Sequence, residues 1–161
     1  MILLVKRFNN SRGGLIKETY QATARNTGLG LQVDAHSRGF HHFFDEPRNS
    51  GGTNTGMNPV ELLLSTLGAS LQSTAQQLKQ TEEFEFQKLI IQLDGDLDPA
   101  GFMGDPNIRN GFQEIRVNFQ YETKMTQKQC EDFSKRVFVK CPIVDLLTNG
   151  IHPVVDRTMK G

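Results

Sequence analysis

Between Asn58 and Gln80 the residues Val60, Leu63, Leu64, Leu67, Leu71, Ala75 and Leu78 recur at three- and four-residue intervals, the spacing of one buried helical face. That spacing predicts a helix around which the rest of the chain is organised. Asn58 suits the N-cap, Pro59 the first helical position and Glu61 the third residue after the cap, so the start is well specified. Thr66, Ser70, Ser73, Thr74 and Gln77 form a second, small and polar stripe. With Gly68 and Ala69 beside it, another backbone can come close, and the helix becomes a candidate wall of a site.

Upstream, Leu15 to Thr23, Leu29 to Ala35 and Gly39 to Phe44 read as strands of an antiparallel meander, turned by Asn26-Thr27-Gly28 and Ser37-Arg38-Gly39. Pro47 to Asn58 is a Gly, Asn, Ser and Thr loop without hydrophobic period. Downstream, Phe84 to Leu93 and Gly111 to Tyr121 favour strands joined by a long loop. Thr126 and Gln129 open a second helix that sets Cys130, Phe133, Val137 and Cys141 on one apolar face. Pro142 ends it and starts a short helix through Leu147, closed by Asn149 and Gly150, before a last strand from Ile151 to Asp156. Strands, helix, strands, helices and strand without regular alternation predict an α+β fold with antiparallel sheet, in a single domain over residues 1–161.

Composition narrows the function. A chain of 161 residues is long enough to build an ordinary core without disulfides or metal. Eighteen basic residues balance eighteen acidic ones with no Lys/Arg block, which removes the electrostatic footprint of a nucleic-acid binder. The apolar run opening the chain is too short for a membrane span or a signal-peptide core. Two cysteines, Cys130 and Cys141, fit a reducing compartment. The expectation is a cytoplasmic protein without cofactor.

Cys141 stands before Pro142, where the exposed N–H groups of a short helix would favour a thiolate; it also reads as a small buried hydrophobe at a helix junction. Cys130 reads as core. A disulfide between them is excluded by about 16 Å of intervening helix, against a reach of roughly 7 Å between α-carbons. Adjacent His41 and His42 point to opposite faces of a strand, so they do not chelate one ion together, and no metal site is expected. Asp94, Asp96 and Asp98 begin like a calcium loop, but Pro99 stands at its glycine position and Asp105 at its final glutamate. Gly51-Gly52-Thr53-Asn54-Thr55-Gly56 lacks the Gly-Lys-Ser/Thr ending of a phosphate loop and reads as a flexible connection.

Asn58-Pro59-Val60-Glu61-Leu62-Leu63-Leu64-Ser65-Thr66-Leu67-Gly68-Ala69-Ser70, followed by Cys141-Pro142-Ile143-Val144, resembles the osmotically inducible protein C and organic hydroperoxide resistance (OsmC/Ohr) family over nearly the whole chain. The resemblance implies an intertwined homodimer, with antiparallel sheets around central helices and two sites at the interface. Active members of that family are thiol peroxidases. A central-helix cysteine is oxidised by an organic hydroperoxide to sulfenic acid, the Cys-Pro cysteine closes a disulfide, and a dithiol such as a lipoylated protein reopens it. Carried over, Cys141 matches the resolving cysteine, whereas the peroxidatic position falls on Ser70, which has no sulfenic state. The hydroperoxide-resistance branch has glutamate directly after Asn-Pro, where this chain has Val60, and an arginine in the early hairpin whose place falls near Gly28, with Arg25 and Arg38 the nearby arginines of this chain. The binding residues expected are Glu61, Leu67, Ser73 and Arg38. Three readings stay open: an OsmC-like dimer that has lost the two-cysteine cycle and holds a small hydrophobic ligand, a one-cysteine peroxidase using Cys141 with an external thiol, and a non-catalytic structural or partner-binding dimer.

Overall fold

The computed structural model describes residues 17–160. The chain divides into an N-terminal unit ending at Asn58 and a C-terminal unit beginning at Pro59.

The N-terminal unit holds a three-stranded antiparallel sheet of β1 (Thr23–Asn26), β2 (Val33–Ser37) and β3 (Phe40–Phe44) in the order β1-β2-β3. The meander is as expected, but its first two strands lie closer to the C-terminus. Residues 17–22 have no regular structure, and Leu15 and Ile16 of the expected first strand lie outside the described residues. Thr27 N–H donates to Gln32 O at 3.1 Å and Gln32 N–H to Leu29 O at 3.0 Å, so Leu29 and Leu31 belong to a wide turn and are 63% and 49% exposed. The β2–β3 turn is two residues long. Arg38 and Gly39 both have positive φ, 52° and 82°, the combination that matches the twist of a tight hairpin.

The glycine-rich segment after β3 is not a slack connection. It begins with a short 3-10 helix, Arg48–Ser50, then wraps the carboxylate of Asp45, which is 1% exposed. Thr53 and Thr55 each donate a backbone N–H to Asp45 Oδ2, both at 3.0 Å, and their hydroxyls donate at 2.5 and 2.9 Å. Glu46 N–H donates to Oδ1 at 2.9 Å. A Cβ on Gly52 would run into the Glu46 carbonyl, so glycine is required there by space.

In the C-terminal unit α1 (Pro59–Lys79) lies against a two-stranded antiparallel sheet of β4 (Lys88–Asp96) and β5 (Glu114–Glu122) and against α3 (Gln127–Lys140) and α4 (Pro142–Asn149). A one-turn helix, α2 (Pro99–Phe102), interrupts the β4–β5 connection, capped by Asp98, whose Oδ1 accepts from Ala100 N–H at 2.9 Å. Strict alternation places Leu89, Ile91 and Leu93 of β4 opposite Tyr121, Phe119 and Val117 of β5 on the inner face. Outside, Arg116 holds Asp96 at 2.5 and 3.0 Å. Asp94 and Asp96 are thus strand residues rather than parts of an ion loop.

Leu67, Leu71, Ala75 and Leu78 of α1 are buried with Phe84, Phe86, Leu89, Phe133, Val137, Cys141 and Val144. Phe84 and Phe133 stack at 4.0 Å between ring centroids with 8° between planes, and Tyr121 meets both edge-on. A Cβ on Gly68 would stand 2.9 Å from Leu93 Cδ1: the small residue in α1 admits the sheet. Residues 151–160 are exposed without regular structure, so the expected final strand is not formed. Ile151, Val154 and Val155 have strand propensity, but no strand of the described residues pairs with them.

Two outcomes follow from these contacts. Phe133→Ala removes a fully buried ring from the centre of the core and is expected to cost about 3–5 kcal/mol in chemical denaturation. The hydrogen bonds to Asp45, that from the Thr53 hydroxyl foremost and then that from the Thr55 N–H, hold its carboxyl far below the ordinary range. Its stabilising contribution is therefore full above the unfolded value of roughly 3.9 and fades as pH falls toward the folded value. Thermal unfolding of Asp45→Asn should occur at lower temperature than wild type near neutral pH, and the gap should narrow in acid.

Candidate functional site

Cys141 occupies the junction of two helices. It ends α3, its N–H donating to Phe138 O at 3.3 Å, and its own carbonyl accepts from Asp145 N–H at 3.1 Å in the first turn of α4. Proline at the next position makes the break obligatory. The thiol does not cap α4. It points to α1 and donates to Ser70 Oγ at 3.2 Å. Cys141 is fully buried, while Ser70 is half-buried.

The two residues singled out 71 positions apart in the chain are thus in direct contact. Ser70 also borders a recess on the polar stripe of α1, with Ser73, Thr74, Gln77, Leu78, Lys140 and Pro142 around it. Thr74 is tied down by donating its hydroxyl to Ser70 O at 2.8 Å. Lys140, which sequence reasoning passed over, is the cation of this recess; its position directly before Cys141 was the available signal.

Leu67 faces the core and borders a separate apolar cavity of about 550 Å³, within the size range of small-molecule sites. Val60, Leu63, Phe138, Val144 and Leu147 supply its apolar wall, and Arg109 supplies a charge. The β4–β5 connection contributes Arg109 and Phe112 to this wall; their part was hidden in what the sequence shows only as loop.

Of the other expected binding residues, Ser73 lies on the Ser70 recess and Glu61 on the exposed first turn of α1. Arg38 belongs to the N-terminal unit, in the β2–β3 turn, its guanidinium 5.6 Å from the Phe40 ring centroid. Arg25, in the same unit, donates from Nε and a terminal nitrogen to Asp34 Oδ2 at 3.0 and 2.9 Å.

Cys130 flanks the core on α3, and both cysteines are free. Burial raises the Cys130 thiol above its ordinary value, consistent with a packing role. Among the described residues one group has metal-ligand composition, Asp34, His36 and His41. His41 and His42 do lie on opposite faces, but the strand register sets His36 beside His41.

Residues 52–155 match the family model described as OsmC-like protein. No curated protein matches. An OsmC-like protein from Mycoplasma pneumoniae superposes with TM-score 0.70 at 22% identity, covering 82% of this chain and 89% of that one. An organic hydroperoxide resistance protein OsmC from Legionella pneumophila gives TM-score 0.63 at 17% identity over 83% and 91% of the two chains. A protein assigned to organic hydroperoxide resistance from Vibrio cholerae O1 biovar eltor, with captopril in one of its active sites, gives 0.60 at 16% identity over 87% and 90%. At these identities the likeness establishes the fold.

The contact between Cys141 and Ser70 has a direct test. In Ser70→Cys, mild oxidation should join the introduced thiol to Cys141 and leave Cys130 reactive, read as the loss of two titratable thiols with one still open to alkylation. Retention of all three thiols would contradict the proximity.

Proposed function

Because the chain belongs to the OsmC-like protein family, whose solved relatives include organic hydroperoxide resistance proteins, we propose that it is a homodimer that keeps the family scaffold without the two-cysteine peroxidase cycle. The observation that carries this reading is the 3.2 Å contact of the Cys141 thiol with a serine hydroxyl. That cycle needs one thiolate to take an oxygen atom from ROOH, releasing ROH, and a second thiol to condense with the sulfenic acid, releasing water. Cys141 stands where the second thiol belongs; Ser70 offers no sulfur for the first step.

The fully buried state of Cys141 argues against the one-cysteine peroxidase, since a sensor or catalytic thiol must be reached by its oxidant. The apolar cavity, whose lining carries the Arg109 guanidinium and the Glu114 carboxylate, supports binding of a small hydrophobic ligand, for which a relative holding captopril in an active site is a precedent. A structural or partner-binding dimer would lack such an occupant. Native mass spectrometry of freshly purified protein reads both features, giving the mass of two chains and any retained small molecule.

Cumene hydroperoxide reduction with a dithiol tests the chemistry. Wild type and Cys141→Ser should share the same background rate, whereas Ser70→Cys should gain turnover; with hydroperoxide alone it should close a disulfide to Cys141, and Ser70→Cys/Cys141→Ser should instead accumulate the sulfenic acid until dithiol is added. Wild-type turnover dependent on Cys141 would overturn the proposal.

A further inference from the structure

One face of the N-terminal sheet brings together two imidazoles and a carboxylate that the thiol chemistry leaves unused. Asp34 and His36 alternate on β2 and so project from the same face. The two-residue turn at Arg38 and Gly39 sets the register that pairs His36 with His41 across the strands. One nitrogen or oxygen from each of Asp34, His36 and His41 lies within 4.8 Å of the other two.

Two features distinguish this group from a surface ion pair. Asp34 is 2% exposed and its Oδ1 accepts from His41 Nδ1 at 2.8 Å, so the pair need open only to the roughly 3.4 Å that separates two ligands each about 2.1 Å from a tetrahedral ion. His36 Nδ1 is buried and makes no hydrogen bond, a state that is costly for a polar atom unless it finds a partner. His36 and His41 are already neighbours, their ring centroids 5.0 Å apart.

We propose that Asp34, His36 and His41 form a binding site for a divalent transition-metal ion of the zinc class. Imidazole nitrogen with a single carboxylate is the donor set that zinc and cobalt accept, and three protein ligands leave the remaining coordination positions to water. The ion takes the place of the proton between His41 Nδ1 and Asp34 Oδ1, and through exchange with solvent the neutral ring carries its one proton on Nε2 instead, which frees Nδ1 as the ligand. Asp34 binds through one oxygen, because Oδ2 is held by Arg25. His41 is the exposed member and gives the ion its entry.

Cobalt chloride titrated into the full chain tests this site, followed by visible absorption and by NMR of the histidine rings. About one ion per chain should bind with a spectrum lacking a thiolate-to-cobalt band, broadening the His36 and His41 rings before those of His42 and His152. His36→Ala and His41→Ala should each weaken binding by on the order of tenfold or more, and His152→Ala should leave it unchanged. The NMR readout needs no variant, so it stands even if a substitution unfolds the sheet. Absence of binding, a thiolate band, broadening centred on other histidines, or unchanged affinity in a folded His36→Ala would overturn the proposal.

Discussion

Everything in the C-terminal unit depends on burying one face of α1. Leu67, Leu71, Ala75 and Leu78 cannot be shielded by a lone helix, and they are covered from the sheet side by Leu89 and its neighbours and from the other side by Phe133, Val137 and Val144. Burial of side chains of this size stabilises by about 1.5–3 kcal/mol each, so this shared contact determines where α3 and α4 can lie. The Phe84–Phe133 stack joins the segment after α1 to α3, and Gly68 lets β4 approach closely. The position of Cys141 against Ser70 follows from that packing.

The chemistry then turns on one atom. A thiol at the α3–α4 junction faces a hydroxyl on α1, and a disulfide-forming cycle at this contact would need sulfur on both sides. The hydroxyl keeps the contact polar and satisfied while removing the group that would accept oxygen. Around this pair α1 offers two different surfaces, a polar recess toward Lys140 and Pro142 and an apolar cavity toward Phe138 and Leu147. An apolar cavity of ligand size, together with a Cys–Ser contact, is the ground on which binding rather than turnover is proposed.

Much of this was legible in the sequence where a hydrophobic period was strong. The three- and four-residue spacing of α1 and the Thr126 capping box of α3, formed with Gln129, placed both helices within a residue or two, and Ile115, Val117 and Phe119 revealed the face of β5. The N-terminal sheet was less legible because β1 is exposed throughout and lacks an apolar face; its register is held by Arg25 with Asp34 and by a tight turn. Leu29 and Leu31 suggested a strand that the turn geometry overrules. Asp45 went unnoticed because a buried carboxylate looks like any other acidic loop residue until Thr53 and Thr55 fold back on it. The His36–His41 pairing escaped for a related reason: His42 is the neighbour in sequence, whereas His36 is the neighbour across the strands.

The central claim is that peroxide meets no competent thiol pair in this chain. Mass spectrometry of wild-type protein treated with stoichiometric cumene hydroperoxide, with thiol alkylation after denaturation, addresses it most directly. The account predicts that Cys130 and Cys141 are both recovered as alkylated thiols with the hydroperoxide unconsumed. A sulfenic acid on Cys141, or a disulfide between the two cysteines formed at the expense of the hydroperoxide, would contradict it.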